Sequence, residues 1–140
     1  IYHAVNNGVY RCGFAQTQLA YDRACHELFT TLDELDGMLA TSRYLCGDRL
    51  TLADVRLFTT LFRFDIAYHG LFKCNLRRIQ DYQYLGAYLR DLYQLPGVAS
   101  TCDLESVKRD YYGNLFPLNP GGIIPLGPDV ANLLAPHHRD

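Results

Sequence analysis

The chain has 140 residues, 49% of them hydrophobic and 20% charged, with a formal net charge of −2. That is enough apolar material for one globular domain with its own core. The charges are interspersed and no apolar run approaches a membrane span, so neither a nucleic-acid partner nor a membrane is expected.

Five cysteines, Cys12, Cys25, Cys46, Cys74 and Cys102, are odd in number, widely spaced and never paired as CxxC. This argues against a disulfide framework or a zinc knuckle and for a reducing compartment. The cytoplasm is the expected location, or a reducing organelle such as a plastid if a transit peptide lies upstream. His137 and His138 stand in a polar stretch, residues 129–140, which is read as a solvated tail, and no metal site is expected. The opening "IYHAV" reads as the inside of an element, so a preceding segment is expected.

In chain order, "NNGVYRCGFA" (residues 6–15) suits a helix poorly and predicts a break. From Thr17 to Leu39 the apolar residues Tyr21, Cys25, Leu28, Leu32, Leu35 and Leu39 step by four and three, the amphipathic helix pattern. Thr17 is its expected N-cap, Asp33, Glu34 and Asp36 its solvent face, and Gly37 a candidate close helix contact. After a Gly47-Asp48 turn, "LTLAD" carries a capping box. Thr51 is the N-cap and Asp54, at N3, reaches back to it, with Leu50 and Val55 at the positions of a hydrophobic staple. The helix it opens, about Leu52 to Tyr68, is apolar on most sides and belongs at the centre of a bundle. Arg56, Arg63 and Asp65 should there be paired or reach an edge.

"HGLFKCN" predicts a second break. A helix over about Ile79 to Tyr93 ends at Pro96-Gly97, and a short one over Leu104 to Tyr112 is capped by Asp103 and closed by Gly113. The next stretch holds Pro117, Pro120, Pro125 and Pro128 and must be extended. Its Leu115, Phe116, Ile123 and Ile124 suggest that it wraps the domain. No strand alternation is visible, and the expected fold is all-α.

Eleven tyrosines and no tryptophan make an unusual aromatic set. A buried phenol still offers a hydrogen bond. Tyr10, Tyr68 and Tyr111 each stand beside a predicted break, where a pocket could open. Cys12 lacks a neighbouring histidine to activate it and reads as a packing residue. Capping already accounts for Asp54.

"YLCGDRLTLAD" (residues 44–54) resembles the C-terminal helical domain of cytosolic glutathione transferases. "NNGVYRCGFA", "RFDIAYHGLFKCN", "LYQLPGV" and "DYYGNLFPLNPGGIIPLGP" narrow the resemblance to the Xi class, the glutathionyl-hydroquinone reductases. It covers residues 1–128. It implies a helical bundle with an extended Pro/Gly-rich C-terminal stretch, the second domain of a protein whose thioredoxin-like first domain is absent here. The nucleophilic cysteine and most of the glutathione site would belong to that first domain, so none of the five cysteines is carried over as catalytic. This chain alone is then expected to be inactive. Carried over as substrate-binding are Tyr10 and Tyr111, with Tyr68 at a third aromatic position. Glutathione is the implied co-substrate, a hydroquinone-type aromatic the implied ligand, and a homodimer the implied assembly. On this reading Gly8 and Gly13 bend the backbone so that Tyr10 turns toward the pocket. Ile66, Ala67 and Leu71 depart from the family's usual pattern and bear on the substrate. The alternative is a stand-alone, non-catalytic helical module that binds a partner or an aromatic ligand.

Overall fold

The computed structural model describes residues 1–115 and 117–140; Phe116 and the side chain of Val130 lie outside the description. The chain opens with a π-helical segment, Tyr2–Asn6, that continues through Asn7 into α1 (Gly8–Gly13). The break expected at "NNGVYRCGFA" falls only at its end, since the backbone stays helical through Gly13 and leaves the helix at Phe14 and Ala15. Asn6 breaks nothing because its side chain is used elsewhere. It donates to the Arg56 carbonyl at 2.9 Å and the Thr60 hydroxyl at 2.6 Å, instead of competing for its own backbone.

Helix α2 (Gln18–Leu39) starts as its sequence predicts, with the Thr17 hydroxyl accepting from the Ala20 N–H at 3.1 Å. Its stripe of Ala24, Cys25, Leu28, Phe29, Leu32, Leu35 and Leu39 is buried. Gly37 has no heavy atom within 4 Å of the place a Cβ would occupy, so it marks no close helix contact.

Helix α3 (Leu52–Arg63), a π-helical segment Phe64–Tyr68 and the short α4 (His69–Leu71) form one continuous rod, longer than the sequence suggested. The residue inserted at a π turn rotates the rest of the rod by about 100° relative to a plain α-helix. Around this turn Phe64, Ile66, Ala67, Tyr68, Leu71 and Phe72 are all buried. The expected staple is not closed: Leu50 and Val55 remain 47% and 48% exposed. Of the charged residues on the rod, Arg63 donates to the Thr59 carbonyl at 2.8 Å. Asp65 accepts from the Ile79 and Gln80 N–H groups at 2.7 and 3.0 Å, at the start of a 3₁₀ turn, Ile79–Asp81.

Helix α5 (Gln83–Tyr93) comes next. Its first turn is capped from another helix: Asp36 of α2 accepts from the Tyr84 and Leu85 N–H groups at 2.9 and 2.7 Å. Asp33 accepts from the Tyr82 hydroxyl at 2.9 Å. The acidic face of α2 is exposed at Asp33 and Glu34 as expected, yet Asp36 is partly buried and Asp33 and Asp36 both hold the start of α5. Helix α6 (Leu104–Lys108), capped by Asp103, runs into a third π-helical segment, Arg109–Gly113.

Beyond it, Leu115 and Leu118 pack on the core while Ile123 and Leu126 stay exposed. The last residues are not free in solvent. A 3₁₀ turn, Val130–Leu134, buries Leu133, and the Arg139 side chain is only 8% exposed. Among the described residues there is no β-strand, and no helix is long and apolar enough to cross a membrane. The architecture is the all-α one that periodicity predicts.

Asp54 joins three parts of this bundle. It is fully buried, and its carboxylate accepts from the Leu45 N–H (2.9 Å), the Tyr88 hydroxyl of α5 (2.8 Å), and the Thr51 N–H and hydroxyl (2.8 and 3.1 Å). Burial pushes its pKa up, but these hydrogen bonds outweigh burial and hold it below the ordinary carboxylate value. Asp54→Ala leaves several buried donors without an acceptor and should cost about 3–5 kcal/mol in denaturant unfolding. The stability Asp54 contributes is present above the unfolded carboxylate value near pH 4. It should be lost as pH falls through the lowered folded value, and the Ala variant should lack that acid-limb loss.

Candidate functional site

Two pairs of aromatic residues at helical i, i+4 spacing build the site. Tyr10 on α1 stacks on Phe14, ring centroids 6.5 Å apart, and Tyr68 stacks on Phe72 at 5.2 Å. The pairs meet edge to face, with Tyr10–Phe72 at 5.2 Å and Phe14–Phe72 at 5.6 Å. Tyr111, from the third π-helical segment, closes the group at 5.3 Å from the Tyr68 ring and 5.9 Å from Phe72. Phe14 and Phe72 were not singled out from the sequence. The four-residue steps from Tyr10 and from Tyr68 were the signal that could have found them.

The packing brings together the three tyrosines that the sequence singled out. Their hydroxyls form a triangle, with Tyr10–Tyr111 at 2.5 Å, Tyr68–Tyr111 at 2.8 Å and Tyr10–Tyr68 at 3.5 Å. Tyr68 and Tyr111 lie within π-helical segments and Tyr10 comes after one, the kind of helical irregularity often found at functional sites. Thr51 and Asp54 stand at the start of α3 and hold the bundle together.

Burial sets the order of protons. Tyr68 is 3% exposed, and among the described residues its hydroxyl meets only the other two tyrosine hydroxyls, so its proton is best paired with Tyr111, the nearer one. Either oxygen could donate across the Tyr10–Tyr111 contact; the order Tyr68 to Tyr111 to Tyr10 is the one that places the unpaired proton on the most exposed side chain. The Tyr10 proton is left over, on a side chain 37% exposed. Burial, reinforced by both hydrogen bonds, pushes Tyr68 well above the ordinary phenol value; burial and the bond with Tyr10, against the opposing bond with Tyr68, push Tyr111 up to about 12. Both stay protonated near neutrality, and the triangle presents one polarised O–H donor.

Tyr10 lines an open groove of about 610 Å³ together with Phe14, Asn7, Arg11 and Arg23. Cys12 does not line it. That thiol is buried, held below its ordinary value by a hydrogen bond with Cys74 despite the opposing effect of burial. All five cysteines are free thiols.

Gly13 does not bend the chain as the sequence suggested. A Cβ there would stand 2.9 Å from the Phe72 Cβ and closer still to its ring. The residue is glycine because Phe72 occupies its side-chain space. Gly8 has only ordinary contacts, the nearest at 3.6 Å.

With the fold and site in place, the chain can be set beside known proteins. It belongs to the family of the glutathione S-transferase C-terminal domain, whose model matches residues 18–91. Its relatives are Xi-class glutathione transferases and glutathionyl-hydroquinone reductases. It is 48% identical over 140 residues to the glutathionyl-hydroquinone reductase YqjG of Escherichia coli, covering 100% of this chain and 42% of that protein. It is 53% identical over 128 residues to the glutathionyl-hydroquinone reductase PcpF of Sphingobium chlorophenolicum, covering 91% of this chain and 41% of that protein. The structure of a Xi-class glutathione transferase from Natrialba magadii superposes with a TM-score of 0.97 at 49% identity, over 99% of this chain and 42% of that one. The chain thus spans about two fifths of the length of these relatives.

Two outcomes test the packing and the proton order. Gly13→Ala should destabilise the chain by about 1–3 kcal/mol in thermal or denaturant unfolding, the range for overpacking. Tyr111 contributes stability that is complete below the unfolded phenol value near pH 10. That contribution should disappear as pH rises to its folded value of about 12, a loss that Tyr111→Phe removes.

Proposed function

We propose that this chain is the electrophile-binding and dimerising C-terminal domain of a glutathione-dependent reductase that removes glutathione from glutathionyl-hydroquinones. The observation that carries this reading is the hydroxyl triangle, whose most exposed member, Tyr10, also lines the groove. The family and the names of the relatives give the chemistry its class.

A thioredoxin-like domain preceding this chain supplies the thiolate and most of the glutathione contacts. The thiolate attacks the glutathionyl sulfur of a substrate in its keto form. A disulfide forms as the ring C–S bond breaks, and the electron pair moves onto the ring oxygen. That oxygen takes up a proton, completing the hydroquinone. A second glutathione thiolate attacks the mixed disulfide, leaving as glutathione disulfide and freeing the enzyme thiolate.

Within this chain, Tyr10 donates to the ring oxygen as charge develops there, and Tyr111 donates to Tyr10, strengthening that donor. Tyr68 stays beneath them and fixes the direction of the chain of hydrogen bonds. Phe14, beside Tyr10 on the groove wall, flanks the ring, and buried Phe72 backs the two of them. The working form is a homodimer in a reducing compartment, in keeping with five unpaired thiols.

In the protein joined to its thioredoxin-like domain, Tyr10→Phe should lower kcat/KM for a glutathionyl-hydroquinone by about 10²–10³-fold, the usual loss on removing one oxyanion donor. Tyr111→Phe should lower it less, since it acts through Tyr10. A reductase indifferent to Tyr10, or a joined protein with no such activity, removes this reading and favours a non-catalytic binding module.

A further inference from the structure

The site depends on how two π-helical segments are placed against each other. Phe64–Tyr68 carries the Tyr68 hydroxyl and Arg109–Gly113 carries that of Tyr111, 2.8 Å away. Both hydroxyls are at the ends of long side chains, so a small slide between the segments would separate them. The packing of the Tyr111 ring on Tyr68 and Phe72 opposes that slide, and a second contact adds a steric stop. The Tyr112 hydroxyl lies 2.7 Å from the place a Cβ on Gly70 would occupy, and the next atom, its own Cζ, is at 3.9 Å. Gly70 lies in helical geometry inside α4, so its backbone has no need of glycine. Its missing side chain leaves room for this one oxygen.

The contact is well placed to act. Gly70 is two residues beyond Tyr68 on the same rod, and Tyr112 is the residue after Tyr111. The Tyr112 hydroxyl is seated against the backbone of α4 at Gly70, and burial raises its pKa. The other end of the residue is fixed too, since the Tyr112 carbonyl accepts from Asn119 Nδ2 at 2.6 Å. Tyr112 is thus held between α4 and the Pro/Gly-rich stretch.

We infer that Gly70 and Tyr112 form a notch that sets the register between the two tyrosine-bearing segments, which makes Tyr112 a positioning residue for the Tyr68–Tyr111 pair. Its bearing on catalysis rests on the function proposed above; the notch itself does not.

Gly70→Ala puts a methyl group against the Tyr112 oxygen. Helix propensity alone would make this exchange stabilising, so any harm it does must come through the contact. Adding Tyr112→Phe removes the oxygen and leaves the new Cβ with only an ordinary contact at 3.9 Å. The test uses the full chain with carbon-13-labelled tyrosine rings, the Tyr68 and Tyr111 signals assigned by single Phe replacements. Affinity for 1,4-dihydroxybenzene is measured on the same samples.

Gly70→Ala should move both signals and weaken binding by about tenfold, the effect of losing one aligned hydrogen bond. The double variant should return both to their original values. Unmoved signals in Gly70→Ala, or a double variant that keeps the displaced signals or fails to fold, overturn the notch. Displaced and rescued signals in a chain that never binds the hydroquinone uphold the notch and count instead against the proposed function.

Discussion

A carboxylate cut off from water, Asp54, holds the centre of this domain. It is ionised because four hydrogen bonds from Leu45, Thr51 and Tyr88 replace the solvent it has lost. Those donors belong to the α2–α3 connector, the start of α3 and the middle of α5, so one side chain sets three segments in place. The rod of α3, the π turn and α4 then leaves the centre in a fixed direction and carries Tyr68 and Phe72 to the site. A buried ion of this kind is tolerable only when every donor around it is aimed well.

The same centre anchors the end of the chain. Tyr88, which donates to Asp54, has the Arg139 guanidinium 5.8 Å from its ring. Arg139 donates to the carbonyls of Leu39, Ser42 and Arg43 at 3.0, 2.8 and 2.7 Å. These carbonyls lie at and just beyond the C-terminal end of α2, whose last turn holds no basic residue of its own. Buried Asp91 accepts from Arg43 at 3.1 Å twice, with Arg139 Nε at 3.8 Å, so one carboxylate is shared between two guanidiniums.

At the site, packing and chemistry depend on the same side chains. Phe72 fills the space that Gly13 leaves open and touches all three tyrosine rings. The hydroxyls are close because the rings beneath them are jammed together, which is how a fold imposes a 2.5 Å contact between groups that water would otherwise separate. Of the three tyrosines, Tyr10 is the most exposed and lines the groove, so it is the one placed to meet a ligand there.

The sequence by itself determined the elements. The four-and-three spacing along α2, the Thr51–Asp54 signature and the Pro96-Gly97 stop are local signals, and local hydrogen bonding enforces them. It also singled out Tyr10, Tyr68 and Tyr111, by their places beside breaks and by resemblance. What it misjudged were residues whose partners are far away in the chain. Asn6 reads as a helix breaker until Arg56 and Thr60 take up its amide, Asp36 reads as solvated until α5 arrives, and Arg139 reads as tail until it meets α2. Gly13 and Gly37 look alike in sequence, yet only Gly13 has an aromatic ring where its side chain would be. Only the tertiary structure decided these roles, and with them the triangle of hydroxyls, because a hydrogen bond or a steric contact between distant residues leaves no periodicity in the chain that makes it.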